Sequence, residues 1–478
     1  MVIMSKVKTV FLNASWMSVS QVITSVLAFV WTLFTARYLG VNDYGIFGAT
    51  LSLAGLFGAV CDVGTMYFAV REISVDLSRE QKYLNACVSL RFILGAIYFA
   101  LVLLSLMMVG WNSYMMVICL IFAVHQFVGS FKSLLVISFQ AHEEMKYQAI
   151  MYIISNVLTF IFIMAVIFGD YGLFGLSISY VLGNFIGLIY VLWVLKKKFV
   201  FPRLSWDSSL YKILLLGGLP FALNAIFSAI YFSIDMVMLN QMSNSYYVGL
   251  YNSAYKLVDI FGVFYAVYTA TIFPVMSKLF KDDKNILSLS LSKSIKYLSA
   301  ITIPLSVATF IYATDMIVFC FGAEFSEAGA VLTMLVWSVC FLFMNGATVT
   351  ALNASNKERS VTRMYILTSA FNIIFNLVLI PKYNVYGAAF TTILSDIFLL
   401  ILSVYVLNKI NLLPDRHLIF DLMKISLASI VMGFCLYLLN LNMWLAIPVG
   451  ILIYLVVAVM IRFFDEDDKN IIRQVIGR

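Results

Sequence analysis

The chain has 478 residues, of which 63% are hydrophobic and only 12% are Asp, Glu, Lys or Arg; soluble domains hold roughly 45–50% apolar and about 25% charged residues. With a mean hydropathy of +0.98 and only 7 Pro, this composition excludes a soluble enzyme, a disordered chain, a collagen-like repeat and a small disulfide scaffold. What remains is a polytopic membrane protein, in which the placement of Lys and Arg says more than the net charge of +7.

A bilayer crossing needs about 20 apolar residues, and fourteen such runs follow one another. The first six are Val10–Ala36, Tyr44–Val70, Tyr83–Val109, Trp111–Ser138, Met145–Phe168 and Gly172–Leu195. The next six are Ile213–Leu239, Val248–Phe280, Ile295–Val318, Ala328–Thr350, Met364–Ile380 and Val385–Leu407, and Leu418–Leu439 and Met443–Phe463 complete the series. The fold class expected is therefore all-α, with about fourteen transmembrane helices; the alternation of a membrane barrel is absent. The first run, preceded by Lys6 and Lys8, is too long for a signal peptide and is expected to stay in the membrane.

Placing the N-terminus inside puts 27 of the 31 basic residues on the inner side. Arg37 and Lys382 fall in outer loops, and Arg91 and Lys256 fall within helices. Both termini are thus expected to be cytoplasmic, in a multi-pass protein of the cell (inner or plasma) membrane. The most basic inner loop, with Lys196, Lys197, Lys198, Arg203 and Lys212, reads as a hinge between two halves.

A weak internal repeat supports that division. Asp43-Tyr44-Gly45-Ile46-Phe47 after the first run and Tyr247-Val248-Gly249-Leu250-Tyr251 after the seventh align when shifted by 204 residues, as do Leu53 with Leu257 and Phe57 with Phe261. The expected organisation is a six-helix lobe over 1–205, a second over 206–412 and two extra helices with a short tail over 413–478. An even number of helices separates the equivalent turns, so the repeat is parallel, a type that commonly encloses a substrate path near the midplane.

Soluble-type catalytic signatures are missing: there is no GxxxxGK[ST], HExxH or GxSxG. No two of the six cysteines lie within three residues of each other, and the three histidines are scattered, so neither a metal site nor a cofactor is expected. The informative residues are ions at membrane depth, each costly against lipid and so expected to face a partner or a wet cavity. Asp62 and Arg91 fall at comparable depth and can pair. Lys256 and Asp259 share one helical face, with Asp235 near the outer end of its helix facing Lys256, and Asp396 near mid-depth. Ion pairs that only fix helix packing would draw on the same residues. Ser18, Gln21 and Ser25 form a polar stripe in the first helix and Asn224, Ser228 and Tyr231 another in the seventh, which reads as the lining of one central cleft. Gly217-Gly218-Leu219-Pro220 is expected to kink the seventh helix.

The segments Arg37-Tyr38-Leu39-Gly40 with Asp43-Tyr44-Gly45, Asp62-Val63-Gly64 with Arg71-Glu72, and Val248 to Lys256 resemble those of the oligosaccharide-lipid and polysaccharide flippases. These belong to the multidrug/oligosaccharidyl-lipid/polysaccharide exporter superfamily. The resemblance implies two six-helix lobes around a central cavity and a non-enzymatic transporter. Its cargo would be a polyprenyl-diphosphate-linked oligosaccharide, flipped from the cytoplasmic to the outer leaflet by alternating access for surface polysaccharide (O-antigen, capsule or exopolysaccharide) synthesis. Its partners would be membrane lipids, a polysaccharide polymerase and glycosyltransferases, and no nucleic acid. Arg71, Arg91, Lys256 and Arg37 would meet the diphosphate, with Gln21 and Asn224 in the cavity. Asp62, Asp235, Asp259 and Asp396 would serve coupling or ion pairing. A lipid II flippase or a cation-coupled multidrug exporter of the same superfamily are the nearest alternatives. A membrane glycosyltransferase or polymerase would need an acidic catalytic cluster that is not evident.

Overall fold

The computed structural model describes residues 2–461, apart from 416, and residue 463. All regular elements among them are helical. The chain divides into two compact units, Met1–Gly249 and Leu250–Arg478. In the first lie α1 (Val2–Leu56), α2 (Gly58–Asp62), α3 (Thr65–Val75), α4 (Glu80–Val109), α5 (Ser113–Leu135), α6 (Ile137–Ala141), α7 (Met145–Gly169), α8 (Gly172–Lys198) and α9 (Ser208–Met242). The boundary falls inside α10 (Ser245–Asp282). The second unit continues with α11 (Lys284–Phe321), α12 (Ala328–Ala354), α13 (Glu358–Lys409), α14 (His417–Leu439) and α15 (Met443–Met460).

Helix starts follow local chemistry. Asn112, Asp207, Asp283 and Asn442 each sit in extended backbone and accept a backbone N–H from the first turn of α5, α9, α11 and α15, satisfying donors that would otherwise be orphaned. At Asp207 the Ser209 hydroxyl and the Leu210 N–H hold the carboxyl below its usual range.

Among the described residues, eleven helical segments are long and apolar enough to cross a membrane. Three of them are interrupted, one of them α11 at Tyr312 (φ −103°, ψ 18°). Gly40 (φ 68°, ψ 176°) breaks α1, and Asn384 (φ 50°, ψ −128°) breaks α13. A straight helix of 52 residues would separate its ends by about 78 Å, yet Lys357 and Lys409 line one cavity. The helix therefore doubles back at Asn384. The 38-residue α10 is not among the eleven.

The run Tyr44–Val70 is not one continuous helix. It ends at Leu56, resumes as the short α2, and breaks again where Val63 (φ 47°) and Gly64 (φ 68°) both adopt left-handed backbone. A Cβ on Gly64 would strike the Gly218 carbonyl oxygen and Phe221, and one on Gly218 would strike the Val63 carbonyl oxygen. The helix break thus lies directly against α9. Gly217 and Gly218 permit this close approach, and helical backbone continues through them.

A second backbone contact ties the repeat together within the first unit. A Cβ on Gly45 would meet the carbonyl of Ser245 and the nitrogen of Gly249; a Cβ on Gly249 would meet the carbonyl of Val41. Shifted by 204, Val41 corresponds to Ser245 and Gly45 to Gly249. The contact is reciprocal.

The basic loop expected to act as a hinge is strapped down. Gln81 Nε2 donates to the Phe201 carbonyl at 3.1 Å, the Arg203 N–H donates to Asn85 Oδ1 at 2.7 Å, and the Ser205 N–H donates to Ser89 Oγ at 2.9 Å. Four helical residues rise about 6 Å and two extended residues about 6.6 Å. One face of α4 therefore matches alternate residues of the strap. Phe199 begins it, packed against Phe139, His142 and Tyr147, beside a core that joins α3 to α9 through Ile73, Leu84, Leu134 and Leu195.

In the second unit α11 packs on α12 and α14, α12 on α13, and α14 on α15. Lys296 of α11, 1% exposed, reaches Asp421 of α14 at 3.3 Å and lies 4.9 Å from the Phe463 ring centroid. The pair anchors the last two helices to the unit's interior.

Gly45→Ala is expected to lower stability by about 1–3 kcal/mol, as overpacking against backbone does. Gly55→Ala, whose Cβ meets nothing within 4 Å, should hold stability or raise it by about 0.5–1 kcal/mol. Thermal midpoints of the two purified variants check this, and equal midpoints would contradict the contact. Lys296→Met should cost about 3–5 kcal/mol by leaving a carboxylate without its partner, and adding Asp421→Leu should recover most of it; the same melts decide.

Candidate functional site

The break in the second helix organises the first unit's charged site. Asp62 ends α2 and stands over the start of α3. Its side chain accepts from Thr65 Oγ1 at 3.1 Å and from the Met66 N–H at 3.3 Å, as a carboxylate at a helix N-terminus should. The same Oδ1 receives Arg91 Nη2 from α4 at 2.5 Å. Arg91 is 2% exposed and Asp62 is 28% exposed, so the acid is the wetter partner. The Arg91 Nε is buried with no hydrogen-bond partner. Cys61, Cys87 and Ser130 complete the surroundings. The break thus sets a partly open carboxylate against a buried guanidinium that keeps one unused donor.

Arg71 lies beyond the break on α3. It is exposed and makes no ion pair among the described residues. Arg37 is exposed, three residues before the interruption at Gly40. Gln21 is exposed and bonds along its own helix to Ser25 Oγ at 3.2 Å. The Asn224 side chain lies outside the described residues. Asp235 is buried on α9, and Asp396 is buried on α13, where its backbone carbonyl accepts from Asn345 Nδ2 at 3.0 Å.

In the second unit Lys256 and Asp259 meet at 2.8 Å across one turn of α10, with 36% and 44% side-chain exposure. This pair is open to its surroundings, unlike Arg91. It can exchange its partner for a ligand without desolvating anything further, whereas Arg91 is closed off by burial.

One buried cation escapes a reading based on loops. Lys132, counted with the inner basic segments, is 5% exposed and points into the first unit from α5. Its ammonium donates to Asn184 Oδ1 at 2.6 Å and to Ser155 Oγ at 3.2 Å. Among the described residues no carboxylate pairs with it. Asn184 also meets His125 Nδ1 at 3.0 Å, and that nitrogen lies 2.9 Å from the Tyr180 carbonyl. The four side chains form one polar chain through α5, α7 and α8. Its sequence signal was position: Lys132 lies six residues inside the end of its apolar run, about 9 Å along the helix.

The second unit also holds an apolar cavity of about 450 Å³ between α11, α14 and α15, lined by Pro304, Tyr312, Met432, Met443, Gly450 and Tyr454. It is the kind of surface that accepts a hydrocarbon chain, and it is formed with the two helices that stand outside the repeat.

Comparison with known proteins agrees with this architecture. The family described as "Polysaccharide biosynthesis protein" matches residues 10–280, and the family described as "Lipid II flippase MurJ" matches residues 219–457. The chain is 27% identical over 267 residues to the "Probable flippase AglR" of Haloferax volcanii, covering 55% of this chain and 54% of that protein. It is 23% identical over 220 residues to the "Capsular polysaccharide biosynthesis protein CapF" of Staphylococcus aureus, covering 45% and 55% respectively. The matched region thus spans about half the length of these relatives. A solved structure of lipid II flippase MurJ in an inward closed conformation shares the fold, with a TM-score of 0.75 and 18% identity over 93% of this chain and 98% of that one. With the longer family match covering more than half of the chain, the protein belongs to the family described as polysaccharide biosynthesis protein.

Proposed function

We propose that this protein flips a polyprenyl-diphosphate-linked oligosaccharide from the cytoplasmic to the outer leaflet by alternating access, for surface polysaccharide synthesis. The observation that carries the reading is the Asp62–Arg91 pair at a break in a membrane-depth helix. Discontinuous helices are where transporters place their substrate sites, and ionisable groups at such depth are functional by default. The flippase named for AglR and the capsule protein CapF support a glycan-linked cargo. We read the interrupted α1 and α13 as two crossings each and α10 as a further one, which gives fourteen, with both termini cytoplasmic.

The chemistry runs from charge to release. Arg71 meets the diphosphate first. Movement at Val63–Gly64 then uncovers Arg91, and the phosphate oxygens compete with Asp62 for the guanidinium. Because Asp62 remains beside it, binding stays weak enough for release. The exposed Lys256–Asp259 pair offers a second exchangeable cation. The apolar cavity between α11, α14 and α15 takes part of the lipid chain, and glycosyltransferases and a polymerase act before and after transport. A lipid II-type cargo is the second reading, favoured by the match of residues 219–457 to that flippase family; both cargoes present a polyprenyl diphosphate, so the roles of the cations are the same.

Three measurements test this. Cysteine labels at Asn112, Asp170 and Leu441 should react from outside and one at Lys197 only from inside; reversal at any of them removes the orientation. Lys256→Ala should abolish surface glycan at a normal membrane level of protein, and full activity would return Lys256 to a packing role. Arg91→Lys should keep part of the export and Arg91→Gln lose most of it. Adding Asp62→Asn to Arg91→Gln removes the unpaired carboxylate. If the pair is only structural, export recovers, whereas a diphosphate site stays inactive and lipid-linked oligosaccharide accumulates on the inner leaflet.

A further inference from the structure

A second cationic site lies away from the helix break, where the two ends of α13 come together. Lys357, Arg363 and Lys409 line one cavity of about 450 Å³ with Ser360 at its side, and Leu367 and Val406 form part of its apolar wall. No Asp or Glu lines it, and none of the three cations forms an ion pair among the described residues. Lys409 lies 4.4 Å from the centroid of the Tyr405 ring, which holds it at the rim. From Arg363 to Leu367 the cavity descends about 6 Å along one arm of the helix, and from Lys409 to Leu402 about 10 Å along the other. Leu367 is 52% exposed and Tyr405 55% exposed, so the apolar wall opens outward and is not sealed by protein.

Charge at the rim and hydrocarbon below is the profile of a lipid standing upright in a bilayer leaflet. A soluble anion would have no use for the apolar wall, and a glycan would find few polar side chains besides Ser360. The cavity is also too small for an oligosaccharide together with its lipid anchor. Basic pockets between membrane helices hold anionic lipid head groups, with each Lys or Arg near the surface worth roughly a fivefold change in affinity. We propose that this cavity binds an anionic glycerophospholipid of the surrounding bilayer, its phosphate among Lys357, Arg363 and Lys409 and an acyl chain along Leu367 and Val406. The occupant clasps the two arms of α13, whose only covalent link is the turn at Asn384, and so makes the second unit's packing depend on lipid charge.

The test is a titration of the purified full-length protein in detergent with phosphatidylglycerol, followed by native mass spectrometry, with phosphatidylcholine as the neutral probe. Phosphatidylglycerol should bind and phosphatidylcholine should not. The combined variant Lys357→Gln, Arg363→Gln and Lys409→Gln should bind phosphatidylglycerol on the order of a hundredfold more weakly. A control with Lys278→Gln, Lys281→Gln and Lys284→Gln, which loses the same charge elsewhere, should bind as the unaltered protein does. Should the combined variant not fold, Arg363→Gln alone is expected to weaken binding roughly fivefold and Arg363→Lys to retain most of it. Unchanged binding in the variants overturns the proposal, as does an equal loss in the control. Binding of undecaprenyl diphosphate in place of phosphatidylglycerol would make the cavity a cargo site instead, and displacement of the lipid by inorganic phosphate alone would remove the role of the apolar wall.

Discussion

A charged group at membrane depth must be given a partner by the protein itself, because lipid supplies none. Three buried cations meet that demand in three ways. Arg91 takes a carboxylate that also caps a broken helix. Lys296 takes a carboxylate from a helix outside the repeat and an aromatic face. Lys132 takes only neutral oxygens. The first arrangement leaves the acid partly wet and places the pair at a backbone discontinuity. The second is a clamp between elements, and the third sits within a hydrogen-bonded chain through one unit. The difference between them is the partner: a carboxylate at a helix break, a carboxylate from a neighbouring helix, and neutral oxygens alone.

The glycines serve the same end by another route. Where side chains at an interface cannot be polar, close packing of small residues supplies the contact. Gly45 and Gly249 bring Val41 and Ser245 backbone into reciprocal contact, and Gly64 and Gly218 seat the helix break against α9. The break is therefore supported on one side by rigid backbone and on the other by an ion pair.

Much of this is legible from the sequence, and the exceptions have physical causes. Hydropathy finds the helical segments because burial in lipid dominates their composition. The repeat is visible around Gly45 and Gly249 because close approach there admits only glycine. The interruption at Val63–Gly64 stays hidden within the apolar run, since hydropathy averages over a window and ignores φ. The partner of Lys296 is hidden too: Asp421 lies in a distant helix, and no local spacing links them. Lys132 looks like a loop residue because basic residues near helix ends usually are. Only its position inside the run, opposite Asn184 and Ser155, marks it as buried. The strap over residues 199–207 is read as a hinge because its basic residues fall between the sixth and seventh runs, although Gln81, Asn85 and Ser89 recur every four residues on the helix that receives it.

That strap has a bearing on how the chain can be altered. Surface connections ordinarily tolerate changes of length more readily than changes in the elements they join. Here two periodicities are meshed, one of four residues and one of two, so a single inserted residue between Phe201 and Ser205 would put each later backbone group out of phase with its acceptor. The side chains of Leu204 and Trp206 point outward and are 64% and 77% exposed, free to vary in kind. The segment is thus permissive in composition and strict in count. A junction for a chimera or an inserted tag belongs between Ser205 and Asp207, past the last phased hydrogen bond and ahead of the residue that caps the next helix.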